Sequence, residues 1–403
     1  MLDYFIISGV LFGFCMVANR LSKTAITAPM VFLAFGAILA FFDMLPKSRS
    51  EEALHIVAEI TLIILLFIDA AQIDQRALLK RRVWPARMLM LGLPLAFVFG
   101  TLLGLLTFPG WPLAAVAVAA AILVPTDAAL GQPVVTNQDV PERERRALTV
   151  ESGLNDGLAL PLVLMMASLA ADGATAPAEG WLSFGIKQIT LGPLVGGLVG
   201  VSGALILLWA KRTGMTADIY SGIGALAIAG FAYVSATLVG GNGFISAFAA
   251  GLGFGAVARD QCKFVFEFTE GEGQILSWSA FFLMGAVLVP EAIADLTLMT
   301  TFYILGSLFL VRPLAIWISL IGTDAPARTR LFFGWFGPRG LATALFALLI
   351  VEQFDHNMGD LLLHLAVNAV WISALLHGVT AAAGAKFYAR RMNGSSPASH
   401  ADT

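Results

Sequence analysis

The amino-acid sequence predicts an all-α membrane protein with about thirteen transmembrane helices. Of its 403 residues, 58% are hydrophobic and only 13% are charged, and the mean hydropathy is +0.83. Soluble domains carry about 25% charged residues. Apolar runs long enough to cross a bilayer recur along nearly the whole chain. These observations exclude a soluble globular fold.

The predicted spans follow one another with short polar connections. The eighth and ninth are separated only by Gly-Gly-Asn-Gly, which is typical of a tight turn. The thirteen segments are 3–19, 28–43, 53–71, 85–107, 111–138, 147–170, 181–210, 218–238, 242–258, 273–290, 297–321, 328–351 and 360–386.

The distribution of basic residues predicts the orientation of the chain. With the N-terminus outside, most of the 24 basic residues fall in connections on the inner side. We therefore expect an integral protein of the cell (inner) membrane with a cytoplasmic C-terminus. A single transmembrane domain is predicted over residues 1–390, followed by a short cytoplasmic tail at 391–403. The first apolar run has no basic region before it, so we expect no cleaved signal peptide, and we expect no attached soluble domain.

Two predicted spans carry helix-breaking residues. Pro125 interrupts the fifth span, where Gly131 and Pro133 also weaken the helix, and Gly-Pro-Arg-Gly at 337–340 interrupts the twelfth. These breaks correspond if the chain holds two inverted six-helix repeats, about 1–172 and 216–390, joined by a linker helix at about 181–211. Paired interruptions of this kind indicate the binding site of a transporter.

Acidic and hydroxyl side chains lie beside the first break and in the following span. Asp156 is placed near the middle of the bilayer, where a carboxylate is costly and indicates a functional site. Hard monovalent cations prefer oxygen ligands, and Thr126, Asp127, Ser152 and Asp156 can supply them to a Na+ ion. The alternative is that the buried acids only hold helices together through hydrogen bonds.

A second group of polar residues is predicted to support this site. Glu151 and Asn155 lie four residues apart on one helical face. Arg339 also lies within the membrane, so an ion pair with Glu151, to which Asn155 bonds, would neutralise both charges. Arg312 is either a partner for a helix terminus or a side chain that reaches the interface. Asp69, at the end of the third span, is either part of an inner ion passage or an interfacial acid.

Three motifs resemble those of the monovalent cation:proton antiporters. They are Glu-Ser-Gly-Leu-Asn-Asp-Gly at 151–157, Pro-Thr-Asp-Ala at 125–128 and Gly-Pro-Arg-Gly-Leu-Ala at 337–342. The Asn-Asp pair is similar to that of the Na+/H+ exchanger branch. The resemblance implies the Na+/H+ antiporter fold of inverted repeats, a homodimer, and a mobile core that moves past a dimerisation domain.

The same resemblance implies a role for each matched residue. Asp156 would bind the cation and the proton in turn, with Asp127, Ser152 and Thr126 as further ligands. Glu151, Asn155 and Arg339 would form the buried polar support. Two departures stand out: Asp69 occupies a position where related sequences often have Glu, and Thr-Asp-Ala replaces the commoner Thr-Asp-Pro.

We therefore expect a secondary active antiporter rather than an enzyme, exchanging Na+ or Li+ for H+ by alternating access of an elevator type. A role in pH homeostasis follows from that activity. The alternatives are a K+/H+ exchanger or an efflux system for another small substrate on the same fold, or a channel or sensor. The expected partners are the cation, H+ and the lipid bilayer, without a cofactor or nucleic acid.

Overall fold

The computed structural model describes residues 2–21, 24, 26–45, 47–73, 83–170, 181–259 and 262–393. Within these residues the regular structure is helical, and no strand is present. The helices are α1 (Leu2–Leu21), α2 (Ala28–Phe41), α3 (Lys47–Ala71), α4 (Val83–Thr107), α5 (Leu113–Ile122), α6 (Ala128–Val135), α7 (Glu142–Ala170), α8 (Trp181–Arg212), α9 (Asp218–Leu238), α10 (Gly243–Ala258), α11 (Lys263–Val287), α12 (Val289–Ala294), α13 (Leu298–Ser319), α14 (Ala327–Trp335), α15 (Leu341–Ile350) and α16 (His356–Asn393).

The helical membrane prediction is confirmed by this architecture. Among the described residues, seven helices are long and apolar enough to cross a membrane, and shorter apolar helices accompany them. Every predicted span overlaps at least one of the sixteen helices given above, and the tenth span, 273–290, lies on α11 and α12. Many large apolar side chains point outward, such as Leu198 at 72% and Leu106 at 82% exposure, as lipid-facing residues do.

Several helices are longer than their apolar runs. The tenth predicted span starts at residue 273, but α11 begins at Lys263, because its first turns are amphipathic and carry acids that lower their mean hydropathy. Likewise α7 begins at Glu142 instead of 147, and α16 covers 356–393 instead of 360–386. Of the predicted tail, residues 394–403 lie outside the described part of the chain. The division into inverted repeats stays a prediction.

The helices pack as two bundles. One contains α2, α3 and α8–α11, and the other contains α4–α7 and α13–α16. Close approach of backbones characterises the first bundle. A Cβ atom added at Gly36 of α2 would overlap the carbonyl of Phe282, and one added at Gly285 of α11 would overlap that of Leu33. Small residues allow such contact between helices in lipid.

Paired π-helical turns distinguish the second bundle. Met88–Gly92 lies within α4 and Ser307–Val311 lies within α13, and a proline follows closely after each turn, at Pro94 and Pro313. Proline has no N–H to donate to the preceding turn, and a wider turn accommodates that loss. The second of these turns leads directly into Arg312, whose side chain enters the bundle interior at 4% exposure.

An ion pair fixes one end of the second bundle. Arg143, near the start of α7, donates two hydrogen bonds to the carboxylate of Asp324, at 2.6 and 2.9 Å, and its guanidinium lies over the ring of Trp84. The Trp84 indole donates to the same carboxylate at 2.8 Å. The bonds from Arg143, with a smaller contribution from Trp84, hold the pKa of Asp324 below its ordinary value. The N-terminus of α7 is thereby tied to the α13–α14 connection.

Candidate ion-binding site

The two interrupted spans meet at their breaks. The first break, between α5 and α6, contacts the second, between α14 and α15, through a hydrogen bond of 2.9 Å from the Asp127 N–H to the Pro338 carbonyl. The Asp127 carboxylate also accepts the Leu341 N–H at 2.8 Å. A Cβ atom at Gly340 would overlap this carboxylate, so glycine is needed for the approach. Asp127 therefore caps the N-terminus of α15.

Arg339 makes the complementary contact at the opposite helix end. Its Nη1 donates to the carbonyls of Val124 and Pro125, at 3.0 and 3.1 Å, just beyond the C-terminus of α5. Its backbone N–H donates to Ser373 Oγ at 2.7 Å. A helix carries partial positive charge at its N-terminus and partial negative charge at its C-terminus. Asp127 and Arg339 thus compensate the dipoles of two half-helices that end inside the protein.

The predicted ion pair between Glu151 and Arg339 was wrong. Glu151 instead pairs with Arg312, whose terminal nitrogens donate three hydrogen bonds of 3.2 Å to its carboxylate. Arg312 reaches Glu151 because Gly337 leaves room, since a Cβ atom there would overlap the guanidinium. Arg339 is engaged by the carbonyls at the first break. Each buried guanidinium therefore has a different partner.

A chain of short hydrogen bonds joins α7 to the first break. Ser152 Oγ donates to the Thr126 carbonyl at 2.9 Å, and Asn155 Nδ2 donates to Thr126 Oγ1 at 3.1 Å. Asn155 Nδ2 also donates to Glu151 Oε1 at 3.2 Å. The hydroxyl of Ser152 and the carbonyl of Thr126 keep further lone pairs that can accept or coordinate. The network holds these oxygens on the same side of α7.

Asp156 lies beyond this network on α7. Its side chain is half-buried, and its buried Oδ1 has no hydrogen-bond partner among the residues that the structure describes. The carboxylates of Asp69, Asp127 and Glu151 act on it electrostatically. A buried, unpaired carboxylate oxygen beside other acids is costly unless a proton or a cation neutralises the charge.

A cavity of about 260 Å³ leads to the site from the end of the molecule where α7 begins. The predicted residues Asp69, Thr126, Asp127, Glu151 and Ser152 line it, and Asp156 does not. Asp69 therefore lies in the wall of the cavity that leads to the site. Asp156 lies deeper in the protein than the residues that line the cavity, beyond Ser152 along α7.

Comparison with known families agrees with this geometry. The profile of the family described as "Sodium/hydrogen exchanger, transmembrane" matches residues 6–385. The chain belongs to this family. The family that the three motifs indicated is thereby confirmed, and the match extends over nearly the whole sequence.

Curated relatives carry the names of cation/proton antiporters. A protein of Shewanella oneidensis named "K(+)/H(+) antiporter NhaP2" is 29% identical over 66% of the chain and 46% of its own length. "K(+)/H(+) antiporter NhaP" of Alkalimonas amylolytica is 27% identical over 85% of the chain and 59% of its own length. The chain thus spans about half the length of these two relatives. "Probable Na(+)/H(+) antiporter 2" of Methanocaldococcus jannaschii is 25% identical over 85% of the chain and 82% of its own length.

The fold is that of a solved sodium proton antiporter. The structure of MjNhaP1 from Methanocaldococcus jannaschii at pH 8 superposes with a TM-score of 0.77 at 19% identity, covering 98% of this chain and 99% of that one. At this identity the match establishes the fold. The predicted Na+/H+ antiporter fold is confirmed for this family member.

The roles of four contributors to the site were not predicted from the sequence. Arg312 was left between two roles, although the proline directly after it signalled a distorted helix. Ser373 accepts a hydrogen bond from the Arg339 N–H and also bonds to His377 at 3.1 Å. The spacing of four residues between Ser373 and His377 was only a weak indication of this role. Glu270, which lines the cavity, fell outside the predicted tenth span. No local pattern indicates the carbonyl of Pro338.

Proposed function

We propose that this membrane protein is a secondary active antiporter that exchanges a monovalent cation for H+. The observation that carries the proposal is the position of Asp156. Within the described part of the chain its buried Oδ1 has no hydrogen-bond partner, and two further acids, Asp69 and Asp127, act on the same carboxylate. Such a group needs a neutralising ion, and either a proton or a cation can fill that role.

Competition for Asp156 then couples the two ions. Protonated Asp156 releases its proton and takes a cation, so the charge of Asp156 is neutralised, and the net charge of the site is the same, in either loaded state. The oxygens of Asp127, Ser152 and Thr126 are the further ligands in this proposal. The Ser152 hydroxyl and the Thr126 carbonyl are already ordered by a 2.9 Å hydrogen bond. Ordering before the ion arrives reduces the entropic cost of binding.

The ion pair of Glu151 and Arg312 has a supporting role. Because both side chains are buried and paired, their net charge is zero and neither binds the transported ion. Arg339 and Asp127 stabilise the half-helix ends, which leaves the charge of Asp156 as the one that changes. An alternating-access cycle of an elevator type moves the α4–α7 and α13–α16 bundle against the other bundle. We propose a homodimer in the cell membrane, with the N-terminus outside and the C-terminus in the cytoplasm.

Two candidates for the cation follow from different observations. Na+ or Li+ follows from the Asn-Asp motif at 155–156. K+ is favoured by the names of the Shewanella and Alkalimonas relatives, "K(+)/H(+) antiporter". Na+, Li+ and K+ all take oxygen ligands. Which of them is transported therefore depends on the space that the site leaves for the ion.

Cation-induced collapse of a pH gradient in proteoliposomes tests the proposal. The purified full chain is reconstituted, an acid interior is imposed, and Na+, Li+, K+ or choline is added outside while an interior pH dye is read. We expect saturable alkalinisation with Na+ and Li+, or with K+ if the second candidate is right, and none with choline. Cation flux that does not saturate or that proceeds without proton movement would indicate a channel and would overturn antiport.

A further inference from the structure

A polar stripe on α11 forms one wall of the cavity. Glu270, Gln274 and Ser277 all line it, and their spacings of four and three place them on one helical face. Gly273, on the same face, leaves room beside α3, where an added Cβ atom would meet the side chain of Ile68. The stripe therefore runs from the mouth of the cavity toward its interior.

The charge along this passage has one sign. Among the described residues that line the cavity, Asp69, Asp127, Glu151 and Glu270 are acidic and none is Lys, Arg or His. Arg312 neutralises Glu151. Arg259 lies near the mouth, but its Nη1 is bound to the Gln72 carbonyl at 2.6 Å, and it does not line the cavity.

Glu270 is the outermost acid of this passage on α11. Its side chain is exposed, and it has no ion-pair partner among the residues that the structure describes. Its carboxylate acts electrostatically on that of Asp69, which lies further inside. A cation that enters this passage would meet the carboxylate of Glu270 before that of Asp69. When the low-dielectric walls of a cleft carry charges of one sign, the local concentration of counter-ions in the cleft rises.

We propose that Glu270 recruits the transported cation at the mouth of the cavity and passes it to Asp69. This inference rests on the proposed exchange of a monovalent cation. Glu270 acts on entry and does not bind the ion during translocation. Its loss should weaken the apparent affinity for the cation on this side of the membrane and leave the maximal rate unchanged.

Two acids on the same helix supply matched controls. Glu267 pairs with Lys263 at 3.5 Å, and Glu272 lies two residues from Glu270. Neither residue lines the cavity. Glu270→Gln, Glu267→Gln and Glu272→Gln each remove one negative charge from the first turns of α11. A general effect of lost surface charge would appear in all three variants, and Glu267→Gln also shows what the loss of the ion pair with Lys263 does.

Exchange kinetics at two ionic strengths form the first measurement. With the cation supplied on the side where the cavity opens, Glu270→Gln should raise KM about threefold or more at low ionic strength. The difference should shrink at about 0.5 M of an inert salt, because the Debye length falls to a few ångströms. A KM equal to that of Glu272→Gln, or a lower maximal rate at unchanged KM, would overturn the inference.

A labelling experiment tests the charge of the mouth without transport. In a Cys15→Ser, Cys262→Ser background, Gln274→Cys is reacted with a cationic trimethylammonium methanethiosulfonate and with its anionic sulfonate counterpart. We expect the cationic reagent to react faster. Adding Glu270→Gln should reduce the rate ratio about threefold or more, and adding Glu272→Gln should leave it unchanged.

The two measurements separate the inference from the proposed function. If the wild-type protein exchanges no cation, the proposed function fails, while the labelling ratio still shows whether Glu270 sets the charge of the mouth. A ratio insensitive to Glu270→Gln, or no labelling of Gln274→Cys at all, would overturn the inference even if exchange is normal.

Discussion

Arg312 binds Glu151 through three hydrogen bonds of 3.2 Å, and both side chains are no more than 5% exposed. Removing one partner of a buried pair leaves the other charge stranded, at a cost of about 3–5 kcal/mol. Arg312→Gln should therefore lower the thermal unfolding midpoint in detergent substantially. Combining it with Glu151→Gln should cost less than the sum of the single changes.

The matched control is the same set of single and double variants with Arg339→Gln in place of Arg312→Gln. Arg339 donates to the carbonyls of Val124 and Pro125 and not to Glu151. Arg339→Gln should also destabilise the protein, but its coupling energy with Glu151→Gln should be smaller than that of Arg312→Gln. Simple additivity for Glu151 and Arg312 would contradict the assignment of the pair.

Asp156→Asn should abolish cation-coupled proton flux while leaving the fold intact. Asparagine keeps the size of the side chain but cannot alternate between a charged and a neutral state. Because none of the described residues bonds to Oδ1 of Asp156, the substitution removes no hydrogen bond to that atom that the structure shows. The measurements are gradient collapse in proteoliposomes and size-exclusion behaviour in detergent. Substantial coupled flux in the purified variant would rule out Asp156 as the exchanging acid.

Two substitutions of Asp127 should separate its role as a helix cap from its role as a ligand of the cation. Its carboxylate caps α15 by accepting the Leu341 N–H at 2.8 Å. Losing a side-chain cap to alanine costs about 0.5–2 kcal/mol. Asparagine keeps a side-chain oxygen that can still accept the Leu341 N–H. Asp127→Ala should thus lower the unfolding midpoint more than Asp127→Asn does. Both variants should raise KM for the cation, and an Asp127→Asn protein with unchanged KM would exclude Asp127 as a ligand.

Exchange should carry no net charge. Asn155 beside Asp156 cannot titrate, and the pair of Glu151 and Arg312 is internally neutral. We expect one cation per proton, with the bound cation shared by Asp127 and Asp156. The rate should then be independent of a voltage clamped with K+ and valinomycin, with Na+ or Li+ as substrate. A rate or end point that shifts with voltage would show that both acids release protons, as coupled sites can.

Much of the architecture follows from the sequence because a bilayer leaves few choices. Backbone polar groups must be satisfied within each span, so long apolar runs become helices. Pro125 and the Gly-Pro-Arg-Gly run at 337–340 predicted where helices break, and α5 and α15 end and begin beside them. Gly131 and Pro133 did not end a helix, since α6 continues to Val135. The polar start of α11 was missed because hydropathy detects only apolar length.

The residues of the site could likewise be predicted from the sequence only in part. From the sequence it follows which residues are costly in a membrane and must find partners, namely Asp127, Glu151, Asp156, Arg312 and Arg339. The pairing does not follow, since Arg312 and Arg339 are chemically equal candidates for Glu151. The choice between them became clear from the packing of the helices. The π-helical turn and Gly337 bring Arg312 to Glu151, and the crossing of the two breaks holds Arg339 on backbone carbonyls, because packing geometry is set by contacts distant in sequence.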